Sequence, residues 1–121
     1  MVDTMSGTVA VVDDDPAVLD SLKFLIELAG HPVSTYASAA AFLNDSGSRP
    51  ACLILDHHMP QMTGLELAAR LRGAGAAIPV LLITGSPSPV IRARATELGV
   101  EKVLEKPPGE EELLSFVRAY C

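Results

Sequence analysis

Four apolar runs of the sequence each end in a polar side chain that can take part in metal or phosphoryl chemistry. The residues at these ends are Asp13 and Asp14, Asp56, Thr84, and Lys106. Carboxylates placed close together repel and raise one another's pKa unless a cation lies among them. A hard divalent ion such as Mg²⁺, or Mn²⁺ in its place, suits oxygen ligands of this kind.

The same set of side chains fits phosphoryl transfer, which needs a nucleophile, a metal ion that screens charge, and donors for the phosphoryl oxygens. Asp56 can act as the nucleophile and form an aspartyl phosphate. Thr84 offers a hydroxyl group and Lys106 an ammonium group to the phosphoryl oxygens. Each residue alone has an ordinary structural explanation, and Asp15 before Pro16 is predicted only to cap a helix. A functional site is favoured because all of these residue types occur together at the ends of apolar runs.

Five short apolar runs predict the strands that position these residues. They cover residues 8–12, 33–36, 52–55, 80–84 and 103–104 with its flanks. The first, third and fourth runs do not alternate with polar residues, which is typical of parallel strands buried on both faces. The second run is more polar and is predicted to be an edge strand.

Helical patterns separate the runs and predict five helices. The first begins at Asp15-Pro16 and ends at Gly30, with an inward face predicted from spacing. That face comprises Val18, Leu22, Leu25 and Ala29. Later helices are predicted after Ser38, from Gly64, after Ser88 and from Gly109, the last with a buried stripe of Leu113, Val117 and Tyr120. The pattern predicts an α/β fold, a doubly wound five-stranded parallel sheet of flavodoxin-like order 2-1-3-4-5.

Length and composition favour a single domain over residues 1–121, with its core at about 7–120 and no separate output domain within it. The formal net charge of -6 argues against direct binding to nucleic acid. No apolar stretch reaches membrane-spanning length, and residues 1–8 lack a signal-peptide layout, so the expected location is the cytoplasm. Cys52 is predicted to be a buried hydrophobe and Cys121 a free thiol, with no disulfide between them.

The sequence resembles, over residues 7–120, the receiver domain of response regulators of two-component systems. The resemblance rests on four motifs, which are Val11-Val12-Asp13-Asp14-Asp15-Pro16, Leu55-Asp56-His57-His58-Met59-Pro60-Gln61-Met62-Thr63-Gly64, Ile83-Thr84-Gly85 and Glu105-Lys106-Pro107. It implies a signalling module rather than an enzyme. A sensor histidine kinase or phosphotransfer protein would phosphorylate Asp56, and a second copy or a downstream protein would dock on helix 4, strand 5 and helix 5.

The resemblance also implies a role for each site residue. Asp14 and Asp56 would bind Mg²⁺ directly, together with the backbone carbonyl of His58, and Asp13 would act largely through a water molecule. Thr84 and Lys106 would contact the phosphoryl group and relay its presence. The Lys106–Pro107 bond would be cis, and the His58 side chain would face the entrance of the site.

Two positions depart from the family pattern. Val103 stands where the family usually has Tyr or Phe as a rotamer switch, and Pro108 stands where Phe often follows Lys-Pro. The departure at Val103 keeps open the possibility of a receiver-like interaction module that never carries phosphate.

Three different kinds of site fit these residues less well. A phosphatase of the haloacid dehalogenase type requires a second acidic residue two positions after the nucleophile, and this chain has His58 at that position. A nucleotide-binding module would need a glycine-rich loop after the first strand, and no such loop follows residues 8–12. A zinc site at His57 and His58 lacks nearby cysteines, and adjacent histidines in an extended segment are expected to face apart.

Overall fold

The computed structural model describes residues 8–45 and 49–121, and the predictions made for residues 1–7 lie outside this range. Its five strands are β1 (Val9–Val12), β2 (Val33–Tyr36), β3 (Cys52–Asp56), β4 (Val80–Thr84) and β5 (Lys102–Glu105). Its five helices are α1 (Pro16–Leu28), α2 (Ala39–Asn44), α3 (Gly64–Gly73), α4 (Pro89–Glu97) and α5 (Glu110–Tyr120). No helix within the described ranges is long and apolar enough to cross a membrane.

The strands form one parallel sheet in the predicted order β2-β1-β3-β4-β5. All residues of β1, β3 and β4 are buried, whereas β2 and β5 are partly exposed. This is the burial expected for three inner strands and two edges, so the predicted fold class is confirmed.

Alternate residues of the inner strands face two separate apolar layers. Val12, Leu55 and Leu82 pack on the side of α2, α3 and α4. Val11 and Ile54 pack on the side covered by α1 and α5. Because helices cover both faces, every inner strand is apolar along its whole length, as the sequence pattern indicated.

Side-chain caps set the beginnings of four helices. Asp15, Ser38 and Ser88 each accept a hydrogen bond from a backbone N–H in the first turn of the helix that follows. Thr63 and Glu66 form a reciprocal capping box at the start of α3. These caps fix where each loop ends, and therefore where the polar residues at the strand ends lie.

The buried face of α1 differs from the predicted one. Leu19, Leu22 and Ile26 are buried, while Val18 and Leu25 only border the core and Ala29 is exposed. Both sets share Leu22 and satisfy helical spacing. The spacing alone therefore did not decide which side of Leu22 lies against the sheet.

The buried stripe of α5 also needs one correction. Leu113, Phe116 and Val117 are buried, whereas Tyr120 remains 42% exposed. The Tyr120 hydroxyl donates a hydrogen bond to Glu101 at 3.1 Å, which keeps the ring end at the surface. On α3, Leu67 and Leu71 are both buried against the sheet.

The prediction of free cysteines was wrong, because Cys52 and Cys121 form a disulfide with a Cα–Cα distance of 5.8 Å. Cys52 opens β3 at the amino edge of the sheet, and α5 runs back to the same edge before Cys121. The two residues are 69 positions apart in sequence, so only the folded topology brings them together.

Candidate functional site

The candidate site lies at the carboxyl edge of the sheet, where β1, β3, β4 and β5 end side by side. Asp13 follows β1, Asp56 and Thr84 are the last residues of β3 and β4, and Lys106 follows β5. Asp13, Asp56 and Thr84 are buried. The structure therefore brings together the polar residues that the sequence analysis selected.

Lys106 provides the positive charge that faces the two buried carboxylates. Its Nζ atom lies 3.2 Å from Asp56 Oδ1 and 3.5 Å from Asp13 Oδ2. The Lys106–Pro107 bond is cis, as the family resemblance implied. The Lys106 N–H donates to the Thr84 carbonyl, which continues the pairing of β5 with β4 beyond the strand end.

Three carboxylates form a group that fits a divalent cation. Asp13, Asp14 and Asp56 each offer an oxygen, and these oxygens lie within 4.8 Å of one another. Asp14 is exposed, whereas Asp13 and Asp56 are buried, so the group opens to solvent on one side. An all-oxygen set with access to water suits Mg²⁺, which retains several waters when it binds to proteins.

The electrostatics of the site show how strongly its charges depend on one another. Burial raises the pKa of Asp13, and the nearby charge of Asp56 adds to the rise, while a hydrogen bond from the Asp15 N–H and the charge of Lys106 oppose it. Burial works against the charged form of Lys106, but its contacts with Asp56 and Asp13 raise the pKa of the ammonium above its ordinary value.

His58 makes a contact that sequence reasoning did not predict. Its Nε2 atom lies 2.9 Å from Thr84 Oγ1, and the same hydroxyl oxygen accepts a hydrogen bond from the Ser86 N–H at 3.1 Å. The imidazole is exposed, in keeping with the predicted position at the entrance of the site. Two histidines after a strand give no signal of which one reaches across to the neighbouring strand.

The two histidine rings do not face apart, contrary to expectation. Their centroids are 5.0 Å apart, and the rings meet edge to face. Burial lowers the pKa of His57, and the neighbouring His58 lowers it further. The acidic cluster described above contains neither ring, so their proximity alone does not form a metal site.

The loop from His57 to Thr63 folds back so that α3 begins directly against the end of β3. Gly64 donates its N–H to the His57 carbonyl, and Gln61 adopts a left-handed conformation with φ of 72°. A Cβ atom on Gly64 would lie 2.6 Å from the Asp56 carbonyl oxygen and 2.8 Å from Leu82 Cδ1. Only glycine permits this close approach beside the candidate nucleophile.

The carboxyl edge of this doubly wound sheet thus holds a buried carboxylate, an acidic cluster and a lysine, which are the kinds of group that phosphoryl transfer uses. The sequence model of the response regulator receiver domain matches residues 9–118. The chain therefore belongs to the response regulator receiver family of two-component signal transduction, in which phosphorylation and magnesium binding are typical.

Individual relatives agree with this assignment. The chain is 38% identical over 115 residues to the response regulator protein TodT of Pseudomonas putida, an alignment that covers 94% of this chain and 51% of TodT. It is 41% identical over 113 residues to the transcriptional regulatory protein FixJ of Azorhizobium caulinodans, covering 92% and 53% of the two chains. The chain thus spans about half the length of these curated relatives.

Among solved structures, the chemotaxis protein CheY4 of Vibrio cholerae superposes with a TM-score of 0.86 at 27% identity. The match covers 96% of this chain and 99% of CheY4. A chemotaxis protein of nearly the same length therefore shares this fold over almost the whole chain.

Proposed function

We propose that this chain is a single phosphoacceptor receiver domain over residues 1–121, in which Asp56 accepts a phosphoryl group from a sensor histidine kinase or a phosphotransfer protein. The observation that carries the proposal is the convergence of Asp13, Asp14, Asp56 and Lys106 at one edge of the sheet. The family supports the signalling role, and the geometry supports the assignment of the acceptor.

In this assignment, an Asp56 carboxylate oxygen forms a bond to phosphorus while the bond from phosphorus to the donor breaks. The electron pair of that bond leaves with the donor, which is the imidazole of a phosphohistidine or the acetate of acetyl phosphate. Lys106 already lies 3.2 Å from Asp56 and offers its ammonium to the phosphoryl oxygens. The Thr84 hydroxyl is assigned a second phosphoryl contact.

Asp14, Asp56 and the His58 carbonyl would hold Mg²⁺ or Mn²⁺, and Asp13 would act largely through a water molecule. When bound, the ion offsets the negative charge of the carboxylates and of the phosphoryl oxygens. The chain contributes two carboxylates that are buried and one that remains open to solvent. That arrangement supports the assignment of these carboxylates as ligands.

Intact-mass measurement after incubation with acetyl phosphate and Mg²⁺ tests the proposal. The parent protein should gain one phosphoryl group, and chelation of the metal should prevent the gain. Asp56→Asn should abolish labelling. Asp15→Asn is the matched control, because it removes a neighbouring charge yet retains a side chain that caps α1 well.

Undiminished labelling of Asp56→Asn would refute Asp56 as the acceptor. A parent protein that stays unlabelled by every phosphodonor tested would instead favour a receiver-like interaction module, for which Val103 is the motivating feature. The two results are distinguishable, because a phosphorylated protein is detected only in the first case.

We further propose that output runs through the surface of α4, β5 and α5, by pairing with a second copy or by binding a downstream protein. The role is that of a signalling module, with self-phosphorylation from a small donor and loss of the phosphoryl group as its only expected chemistry. The cytoplasm is the proposed location, because the partners named here are expected there. The net charge of -6 gives no support for direct nucleic-acid binding.

A further inference from the structure

The Thr84 hydroxyl is engaged on two sides in the unphosphorylated protein. Its oxygen lies 2.9 Å from His58 Nε2 and accepts the Ser86 N–H at 3.1 Å. Thr84 is fully buried at the end of β4, whereas the His58 ring that reaches it is exposed. A buried hydroxyl is thus held by one fixed backbone donor and one movable side chain.

A count of protons shows why this arrangement matters for a phosphoryl ligand. A threonine hydroxyl has a single proton to donate and two lone pairs that accept. Ser86 occupies one lone pair, so the proton is available to one acceptor at a time. Phosphoryl oxygens only accept, and a neutral imidazole nitrogen without a proton also accepts. In the tautomer that carries its proton on Nδ1, His58 would therefore compete with the phosphoryl group for the Thr84 proton.

We propose that His58 is a positioning residue: Thr84 donates its hydroxyl proton to His58 Nε2 in the unphosphorylated state, and phosphorylation of Asp56 transfers that hydrogen bond to a phosphoryl oxygen. The proposal rests on Asp56 being the phosphoacceptor. The released imidazole is then the side chain that moves. The His58 imidazole thereby supplies the movement of a ring, which the short side chain of Val103 cannot provide.

The contacts of His58 indicate where the movement leads. Its ring lies edge to face against His57, with centroids 5.0 Å apart. His57 in turn lines a groove between α3 and α4 whose other wall includes Ile91 and Arg94 of α4. A change in the position of His58 would therefore act, through one intermediate ring, on the groove that α4 borders. This connection bypasses β5.

The hydrogen bond itself is tested without any phosphodonor. ¹⁵N NMR of the imidazoles, with His31 and His57 as internal references, should show His58 Nε2 as an unprotonated, hydrogen-bonded nitrogen at mildly alkaline pH. Thr84→Val should shift this signal toward that of a free nitrogen, and Thr84→Ser should retain it. A protonated Nε2, or a signal that Thr84→Val leaves unchanged, would overturn the proposal.

The exchange of partners is tested with beryllium fluoride and Mg²⁺, which mimic the phosphoryl group. Removal of the competing acceptor in His58→Leu should tighten binding of the mimic about fivefold, the effect of one ordinary hydrogen bond. His58→Gln, which keeps a polar group at a similar reach, should restore the parent affinity to within about twofold. In the Thr84→Val background, His58→Leu should have no further effect.

The outcomes separate the exchange of partners from the proposed function. A gain from His58→Leu that persists in the Thr84→Val background would show that the effect does not pass through Thr84, and would refute the exchange. Failure of the parent to bind the mimic and to be labelled by acetyl phosphate would refute the proposed function and, with it, the exchange. The NMR measurement would still decide the hydrogen bond in that case.

Discussion

At the level of single residues, Asp13 is the group whose titration most directly reports on the acidic site. Its pKa is raised in the folded protein because the carboxyl is buried and faces Asp56. A raised pKa means that the folded state binds the proton more tightly than the unfolded state. Asp13 therefore stabilises the fold below its ordinary pKa of 3.8, and this contribution is lost as pH rises through the folded pKa.

This sign predicts that Asp13→Asn stabilises the metal-free protein at neutral pH, because it removes a buried charge while the Lys106–Asp56 pair remains. The variant should also gain less from Mg²⁺ than the parent, for which saturation at 100 times Kd adds about 2.7 kcal/mol to the free energy of unfolding. Thermal unfolding with chelator and with Mg²⁺ measures both effects. A metal-free variant that melts below the parent would contradict the prediction.

The contribution of Lys106 has the same sign as that of Asp13, but it changes in the alkaline range. Its pKa is raised from 10.5 by its contacts with Asp56 and Asp13 despite the opposing effect of burial. The stability that it adds is fully present below 10.5 and is lost as pH rises through the higher folded pKa. At neutral pH this ion pair is therefore intact and partly offsets the repulsion between the two buried carboxylates.

The types and places of the site residues could be predicted from sequence, because each stands at the end of an apolar run. The contact between His58 and Thr84 could not. It depends on the side-chain rotamer of an exposed residue and on the spacing between β3 and β4, and neither leaves a pattern in the sequence.

At the level of elements, the packing of α3 against the end of β3 depends on Gly64. We predict that Gly64→Ala lowers the free energy of unfolding by roughly 1–3 kcal/mol, because its Cβ would overlap the Asp56 carbonyl and Leu82. Gly73→Ala in the same helix is the control. Within residues 8–45 and 49–121, no atom outside its own helix lies within 4 Å of its added Cβ, so Gly73→Ala should stabilise the protein by about 0.5–1 kcal/mol.

Chemical denaturation of the two variants measures this difference. Equal stabilities for Gly64→Ala and Gly73→Ala would contradict the close approach of α3 to β3. Labelling of Gly64→Ala by acetyl phosphate provides a second readout, since a displaced Asp56 backbone should slow phosphorylation even where the variant remains folded.

The response of α4 and β5 to phosphorylation is a second prediction at this scale. Val103 is partly buried against the core and carries no ring to turn inward or outward. We therefore expect the main change in residues 85–91, the loop after Thr84 and the beginning of α4. Amide exchange with and without beryllium fluoride measures it. Large changes at Val103 and Leu104, with residues 85–91 unchanged, would contradict the expectation.

The helices also show the limit of pattern reasoning. Three of their caps followed from Asp15, Ser38 and Ser88, and the end of α1 followed from Gly30. The face that α1 buries did not follow, because Leu19 and Val18 both satisfy helical spacing with Leu22. The rotation of the helix about its own axis decides between such adjacent stripes, and this rotation is a property of the packed structure.

At the level of the whole molecule, the order of the strands was predictable while the covalent link between the ends of distant elements was not. Continuous apolar strands separated by helices restrict the topology to very few arrangements. In contrast, the proximity of Cys52 and Cys121 arises only when α5 has returned to the amino edge of the sheet. An expected cytoplasmic location predicts that cysteines are free thiols, because disulfides are rare in that compartment. For Cys52 and Cys121 this prediction was wrong.

The disulfide closes a loop between residues that are 69 positions apart, and a cross-link over a loop of this size restricts the unfolded chain considerably. In the chain-entropy treatment its reduction should lower the free energy of unfolding by about 4 kcal/mol. Denaturation with and without dithiothreitol measures the effect, with alkylation and intact mass confirming two free thiols after reduction. Cys121→Ser is the control: it has no disulfide to lose, so its stability should not respond to the reductant and should lie near that of the reduced parent. A parent whose stability is the same in both states would contradict a stabilising role of the disulfide.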